Sequence, residues 1–485
     1  MSLSKITVGI TLLIIVFLGL FLRTYKIDQY PVQLNHDEIT QLYDAISIVQ
    51  TGNDIYGNHL PFIFKSINDY KPPYYTYATS LVYLLFGDHD FIIRLPGMVF
   101  GILAIPIVYF FTKVLFQNKL IALFAAFFTA IAPFEVFYSR KSFESGTGIV
   151  LTMLGVGLIL SYLRNKKRLK LFLGTVILGV AMYVHFSQAV IIPLLLMVLV
   201  LIYRNSFFVK DKSVFKNHLA SVGIFTLIVL PLFILILTNQ DTRARSQDVF
   251  VTQDPKLTAQ LEQYKDLPGL QKGLFEKKAF FDFVFTRYFS QLNPSYLFFN
   301  GLEFTNGRIF DIGPLYIFQL PLVLLGVVFL IRLKDFSKEK VFVLGWILIG
   351  LIPSALTFEE HSSHRIIIFF AMLNIISGIG AYSLYRIISR YFSKNSYRFI
   401  VVLFLGGIVF YNMISFAHFY TINYPYEKSQ YIHYPFKQVA QFAWSEYGNY
   451  DQIVFDPLFG ETSPSVGTAA HYYIAYYGKY PPKEF

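Results

Sequence analysis

Long apolar runs are the feature that most constrains this chain. Nearly uncharged stretches such as residues 7–22, 121–137 and 399–416 recur along most of its length. Each is close to the ~20 residues that a helix needs to cross the hydrocarbon core of a bilayer. Because a lipid-exposed segment must satisfy its own backbone hydrogen bonds, and no alternating strand pattern is evident, the sequence predicts an all-α polytopic membrane protein.

The composition agrees with a lipid environment. Hydrophobic residues make up 55% of the chain and charged residues only 15%. The formal charge of +11 lies in short basic clusters between the apolar runs, which is typical of oriented membrane spans, so we expect no nucleic-acid partner. The chain has no cysteine, which excludes a disulfide framework and thiolate metal sites.

The charge distribution also predicts a topology. The expected spans are residues 6–22, 91–112, 120–137, 145–163, 170–186, 188–203, 219–238, 312–331, 341–357, 365–385 and 398–417. This arrangement places basic clusters such as 164–170 and 332–340 on one side, which the positive-inside rule assigns to the cytoplasm. We therefore expect about eleven spans, an uncleaved first helix, a cytoplasmic N-terminus and a plasma-membrane location.

Two long segments face the opposite side in this topology. Residues 23–90 and 239–311 exceed ordinary connections in length, and such loops are typically functional or disordered. Residues 74–86 are too short and too polar for a span, and they predict an amphipathic helix on the membrane surface. We expect a transmembrane catalytic domain over residues 1–420 and a short extracytoplasmic C-terminal segment over 421–485.

Two polar motifs interrupt the first long segment. Residues 35–38 read Asn-His-Asp-Glu and precede a helical pattern, where acids at the positive end of a helix dipole can serve simply as a cap. Lys71 opens the run Lys-Pro-Pro, where a snorkelling lysine is the ordinary explanation. Ionisable residues at a membrane surface are nevertheless costly unless they are hydrated or used. Both structural and chemical roles therefore stay open on spacing alone.

Taken in order, these motifs resemble those of the GT-C glycosyltransferases, in particular the protein O-mannosyltransferases of glycosyltransferase family 39 and the aminoarabinose lipid A transferases. The resemblance covers about the first 150 residues and rests on the combination of motifs. In chain order the matching residues are Asp37-Glu38, Tyr43, Ala45, Gly52, Lys71-Pro72-Pro73-Tyr74-Tyr75, Phe86-Gly87, Arg94-Leu95-Pro96, Pro133, Phe137-Tyr138-Ser139-Arg140 and Phe143-Glu144.

The resemblance implies an inverting glycosyltransferase. Such an enzyme moves a sugar from an undecaprenyl- or dolichyl-phosphate donor to a protein, lipid or glycan acceptor at the extracytoplasmic face. In this family the first-loop acid is the catalytic base, which falls on Asp37 with Glu38 beside it. Lys71 is the lysine of the family's Lys-Pro-Pro motif, and with Arg365 and Arg140 it is expected to contact the donor phosphate.

Four further residues are candidates for a substrate or metal contact. The family often has Asp in its second outer loop, whereas this chain has Glu144. His36, His361 and His364 are also candidates, because carboxylate and imidazole both bind divalent ions. Their spacing matches no closed metal motif, so the sequence leaves a divalent metal cofactor open.

The residue types suit this chemistry independently of the resemblance. A polyprenyl phosphate leaves as a stable anion, so cations suffice for the leaving group and one carboxylate can take the acceptor proton. Glycoside hydrolysis, by contrast, uses two carboxylates. A lipid or solute transporter is an alternative, but it would place charged residues within its spans, and here the spans are almost free of them. A polymerase of lipid-linked glycans and a non-catalytic scaffold are the remaining alternatives.

Overall fold

The computed structural model describes residues 4–67, 69–239, 249–302, 304–305, 308–309, 312–332, 337–358, 361–392, 394–428, 434–456 and 469–485. Within them the chain is built almost entirely from helices, which confirms the predicted fold class.

The first half of the described chain carries eleven α-helices and one β-hairpin. In chain order these elements are Lys5–Thr24 (α1), His36–Thr51 (α2), Phe64–Ser66 (β1), Asp69–Lys71 (β2), Pro73–Phe86 (α3), Leu95–Phe116 (α4), Lys119–Ile131 (α5), Pro133–Ser139 (α6), Glu144–Asn165 (α7), Arg168–Ala181 (α8), Phe186–Ile202 (α9), Arg204–Phe207 (α10) and Lys212–Thr238 (α11).

The second half continues with shorter elements between long helices. They are Pro255–Glu262 (α12), Gly269–Ser290 (α13), Phe304–Thr305 (β3), Arg308–Ile309 (β4), Gln319–Arg332 (α14), Ser337–Gly350 (α15), Ile352–Ala355 (α16), Ile367–Tyr391 (α17), Asn395–His418 (α18), Tyr424–Lys428 (α19), Tyr434–Glu446 (α20) and Ala470–Tyr477 (α21).

Six helices of the described chain are long and apolar enough to cross a membrane, and they contain α1, α4, α7, α11, α17 and α18. The pair α5 and α6, bent by 54°, adds a seventh if it forms one span. The other predicted spans coincide with the shorter helices α8, α9, α14 and α15. The chain is therefore a multi-pass membrane protein. The count of about eleven spans stays a prediction.

Two compact units divide the chain. The first, here called the helical unit, is made of Met1–Leu20, Gly101–Val136 and Ser145–Asn412. The second, here called the loop unit, is made of Phe21–Phe100, Phe137–Glu144 and Met413–Phe485. The C-terminal segment thus clusters with the first long loop. The expected domain boundary after residue 420 stays a prediction.

Within the helical unit, α17 packs against both α5 and α14. Glycines permit this close approach: a Cβ on Gly380 would collide with the carbonyl oxygen of Leu322, and a Cβ on Gly378 would lie 2.7 Å from the backbone nitrogen of Ala125. Small residues at such contacts are typical of helices that associate in a membrane.

The loop unit has its own core, built on α2. The residues Ile39, Leu42, Tyr43 and Ile46 recur at helical spacing and are all buried, as expected for an amphipathic helix. They pack with aromatic residues from α21, which itself packs against α20. The core of the loop unit therefore joins the first long loop to the C-terminal segment.

The helix predicted over residues 74–86 is present as α3. It buries polar residues such as Thr76 and Thr79 and exposes Leu84 and Leu85. This reverses the pattern of a helix on a water-soluble protein and suits contact with lipid. The placement of α3 on the membrane surface stays a prediction.

Candidate active site

A capping box fixes the first turn of α2. The side-chain oxygen of Asn35 accepts a hydrogen bond from the backbone N–H of Glu38 at 2.8 Å, and Glu38 Oε2 accepts one from the N–H of Asn35 at 3.0 Å. The motif therefore does cap the helix, and Glu38 and Asn35 together form the cap. The side chain of Asp37 is not part of the cap and is 32% exposed, against 1% for Glu38.

Lys71 lies directly against the carboxylate of Asp37. Its Nζ is 2.6 Å from Asp37 Oδ1, and its side chain is only 12% exposed. Lys71 ends strand β2 and pairs with Phe64 of β1. Ser66 of the same hairpin donates to the hydroxyl of Thr40 in α2 at 3.1 Å. The hairpin thus carries the lysine to the first turn of α2.

The second oxygen of Asp37 faces an imidazole. His36 Nε2 is 3.7 Å from Asp37 Oδ2, and the His36 side chain is 45% exposed. The partly exposed carboxylate of Asp37 therefore lies between a lysine ammonium group and an imidazole.

Glu38 is surrounded by protein donors. Its Oε1 accepts a hydrogen bond from the N–H of Ser142 at 3.2 Å and from Arg94 Nε at 3.4 Å. Arg94 is as deeply buried as Glu38. Both oxygens of Glu38 are therefore engaged in holding the chain, and this geometry favours a supporting role over the catalytic role predicted for it.

Arg94 and Arg140 together hold the segment between α1 and α2. Arg94 donates to the carbonyls of Ile27, Pro31 and Gln33 at 2.9–3.0 Å. The sequence marked Arg94 only as part of a family motif. The sequence did offer one signal for this role. A single arginine lies beside a long apolar run, and such a charge must find partners if it is buried.

Arg140 was predicted to contact the donor phosphate, and the structure gives it other partners. Its two terminal nitrogens donate at 2.8–3.3 Å to the carbonyls of Leu22, Arg23, Tyr25, Lys26 and Tyr30. Its Nε donates to the hydroxyl of Tyr420 at 3.4 Å, and its side chain is buried. All three guanidinium nitrogens are thus used within the protein, which does not support the predicted phosphate contact.

Glu144 joins the same site through Gln41. Gln41 follows Asp37 by one helical turn, is buried, and donates from Nε2 to Glu144 Oε1 at 2.8 Å. Lys71 and Asp37 both lie close enough to Glu144 to act on it electrostatically. The structure therefore brings two predicted acids and one predicted lysine together. Gln41 was missed, although its spacing of four residues from Asp37 places both on one helix face.

A further acid on α2 is buried away from solvent. Asp44 accepts a hydrogen bond from the N–H of Ile55 at 3.2 Å. Burial raises the pKa of the Asp44 carboxyl well above its usual range, and the nearby Asp54 raises it further. Asp44 thus binds its proton more tightly in the folded protein than in the unfolded chain.

His361, His364 and Arg365 belong to the helical unit, in the turn before α17. The rings of His361 and Tyr296 are 4.8 Å apart. The N–H of Arg365 donates to the carbonyl of Ser362 at 3.0 Å, and the Ser362 hydroxyl lies 3.3 Å from the His364 ring. Their predicted roles at the donor phosphate or a metal stay predictions.

A metal centre finds no support in the geometry. Among the residues that the structure describes, no three His, Asp or Glu side chains converge as ligands of one ion. The predicted substrate or metal roles of His36, Glu144, His361 and His364 stay predictions.

Comparisons with known proteins agree with this architecture. The family described as dolichyl-phosphate-mannose-protein mannosyltransferase matches residues 70–235. No curated protein sequence matches the chain significantly. Together with the solved structures described next, the family match confirms the predicted resemblance to the GT-C glycosyltransferases.

Solved structures are similar over almost the whole chain. The oligosaccharyltransferase of Archaeoglobus fulgidus, determined with a tethered acceptor peptide, is 14% identical, with a TM-score of 0.56 over 97% of this chain and 59% of its own. The same organism's AglB, in complex with an inhibitory peptide and a dolichol-phosphate, is 14% identical over 96% of this chain and 59% of its own, with a TM-score of 0.55. Apo ArnT from Cupriavidus metallidurans is 15% identical over 98% of this chain and 75% of its own, with a TM-score of 0.50. This chain thus spans well under two thirds of the length of the archaeal proteins.

Proposed function

The chain has the fold of the GT-C glycosyltransferases, and on that premise we propose that it transfers a sugar from a polyprenyl phosphate to an acceptor. The observation that carries this proposal is the pairing of Asp37 with Lys71 at 2.6 Å on the partly exposed first turn of α2. The description of the matching family and the dolichol-phosphate bound to AglB support a lipid-phosphate donor.

Asp37 is proposed as the general base. The acceptor oxygen attacks the anomeric carbon, its proton passes to a carboxylate oxygen of Asp37, and the bond from that carbon to the phosphate oxygen breaks. The lipid phosphate leaves with the electron pair. Direct displacement inverts the configuration, and one positioned base contributes about 10²–10⁴-fold to the rate.

Lys71 is proposed to serve both charges of the reaction. Its ammonium group lies 2.6 Å from the carboxylate of Asp37, and we propose that it holds that group in place. An ammonium group has three N–H donors, so it can also hold a phosphate oxygen through a charge-assisted hydrogen bond. Arg365 remains the proposed second cation for the phosphate.

Glu38 and Arg140 are assigned a different role from Asp37. Both are buried and use their polar atoms on backbone groups of the loop unit. We therefore propose that they position the segment that leads to the base. Glu144 lies close to Asp37, and we propose that it contacts substrate. Within the loop unit, the proposed residues at the reaction are thus Asp37, Lys71 and Glu144.

The site is proposed to face the extracytoplasmic side of the plasma membrane. The basic clusters between spans support this orientation. Because the chain has no cysteine, a single cysteine can report sidedness. A membrane-impermeant maleimide applied to intact cells should label His36→Cys and should not label Lys167→Cys. The reverse pattern would remove the proposed site from the outer face.

The activity is tested with purified protein and a panel of radiolabelled undecaprenyl- and dolichyl-phosphate sugars. We expect transfer or slow donor hydrolysis with at least one donor, and loss of that reaction in Asp37→Asn. Asp451→Asn is the matched control, because Asp451 is an exposed acid elsewhere in the loop unit. Movement of an intact donor lipid across vesicles without cleavage would support the transporter instead.

A further inference from the structure

The backbone just before Asp37 is held from outside the first loop. Arg94 fixes the carbonyls of Pro31 and Gln33, as described above. The carbonyl of Leu34, closest of these to Asp37, accepts a hydrogen bond of 2.6 Å from the hydroxyl of Tyr473 in α21. Tyr473 is completely buried. A residue near the C-terminus thus contacts the chain three positions before the proposed base.

We propose that α20 and α21 form a positioning element of the active site, in which Tyr473 fixes the start of α2 and so the carboxylate of Asp37. The inference rests on the proposed function and adds a role for the C-terminal segment, which the sequence left unassigned. Tyr473 acts through the backbone of Leu34 and is a positioning residue.

A second connection runs through Asp90. Gln33 Nε2 donates to the hydroxyl of Tyr477 at 3.0 Å, and that hydroxyl donates to Asp90 Oδ2 at 3.1 Å. Lys437 of α20 donates to the same carboxylate oxygen at 2.6 Å, and Tyr476 donates to Oδ1 at 3.3 Å. The carboxylate of Asp90 therefore ties both C-terminal helices to the segment that ends at Asp37, and such connected networks resist displacement of any one member.

Aromatic packing makes the contact rigid. The ring of Tyr473 stacks on Phe436 of α20 with centroids 5.2 Å apart. On the other side of α2, the hydroxyl of Tyr43 donates to the carbonyl of Tyr480 at 2.9 Å, and the ring of Tyr472 meets Tyr43 edge-on. Large rings with few rotatable bonds hold such positions at low entropic cost.

The consequence is a specific kinetic signature. A general base works only within hydrogen-bond reach of its proton, and small misplacements of a catalytic group cost large factors in rate. Tyr473→Phe keeps the buried ring and removes the hydroxyl that donates to Leu34. We expect kcat to fall about tenfold while KM for the donor stays within about twofold, because Tyr473 acts through the backbone before Asp37.

Tyr472→Phe is the matched control. Tyr472 is the adjacent buried residue of α21, and its ring packs against Tyr43, whereas the carbonyl of Leu34 accepts its hydrogen bond from Tyr473. This control should keep full kcat. A loss of kcat equal in Tyr472→Phe and Tyr473→Phe, or a change confined to KM in Tyr473→Phe, would overturn the proposal.

A measurement without substrate separates this inference from the proposed function. With His36→Cys as the reporter, labelling by a water-soluble maleimide should be several-fold faster when Tyr473→Phe is added and unchanged when Tyr472→Phe is added. Equal labelling rates in all three proteins would overturn the positioning role, whatever the donor panel shows. Altered labelling with no donor accepted would instead remove the proposed function and leave the positioning role standing.

Discussion

Asp37 and Glu38 are neighbours on α2, and replacing each by its amide should have different effects: the first should reduce the transfer rate and the second the stability of the fold. Asp37→Asn removes the proposed base and the charge that pairs with Lys71. Glu38→Gln removes a buried acceptor that three donors share, namely the backbone N–H groups of Asn35 and Ser142 and the guanidinium of Arg94. The two variants therefore separate catalysis from support within one helical turn.

The sizes of the two effects follow from burial. A glutamine at position 38 has one oxygen instead of two, so at least one buried N–H faces its NH₂ group, at about 1–3 kcal/mol. Arg94 also loses the carboxylate with which it pairs, and breaking a buried ion pair costs about 3–5 kcal/mol. Because Arg94 keeps three carbonyl partners, we expect a loss near the lower limit, about 3 kcal/mol. The Asp37–Lys71 pair lies between an exposed and a buried pair, since Asp37 is 32% and Lys71 12% exposed, and asparagine keeps an oxygen for Lys71, so Asp37→Asn should cost about 1–2 kcal/mol.

Thermal unfolding in detergent and sugar transfer at a fixed temperature well below Tm measure the two effects. We expect Asp37→Asn to melt closer to the parent protein than Glu38→Gln does and to lose about 10²–10⁴-fold in transfer rate. Glu38→Gln should melt several degrees lower and keep much of its transfer while folded. A stable but inactive Glu38→Gln would refute this division of roles, as would an Asp37→Asn that melts early and still transfers.

Three further changes test other contacts of the loop unit. Arg140→Lys keeps the charge but loses the fork of N–H donors, so the free energy of unfolding should fall by about 2–3 kcal/mol; lower donor affinity at unchanged Tm would instead support the original phosphate assignment. A double-mutant cycle of Gln41→Met and Glu144→Gln, read out as transfer rate, should show coupling of about 1 kcal/mol across their buried bond, and additive losses would argue against it. Because burial raises the pKa of Asp44, the parent loses stability as pH rises above about 4, where the unfolded chain ionises this group. Asp44→Asn has no such loss, so its Tm advantage should be absent near pH 4 and grow toward pH 8, whereas a pH-independent difference would contradict the raised pKa.

The helical nature of the chain and its membrane location could be predicted from sequence because both depend on local composition. Apolar runs report the solvent directly, and the buried stripe from Ile39 to Ile46 follows from helical spacing alone. Asp37 and Lys71 were each predicted as site residues through motif order, but their pairing was not. The order of motifs along the chain predicts which residues belong to the site, but it gives no distances between them.

The proposed separation of catalytic from supporting residues could not be predicted in this way. Glu38 and Arg140 belong to the same ordered set of motifs as Asp37 and Lys71, yet they bind groups such as the N–H of Ser142 and the carbonyl of Arg23 that only the folded chain brings near. The same holds for Tyr473, whose bond to Leu34 links the two ends of the chain. Hydrogen bonds between distant segments leave no periodic signal in a sequence, so the burial and the partners of these residues are known only from the structure.

A structure of the protein with bound undecaprenyl or dolichyl phosphate would show whether Lys71 holds the leaving group. We expect the phosphate within hydrogen-bond distance of Lys71 Nζ, with the carboxylate of Asp37 turned toward the position that the anomeric carbon of a donor sugar would occupy. A phosphate bound away from Lys71, with the Asp37–Lys71 pair intact, would contradict it.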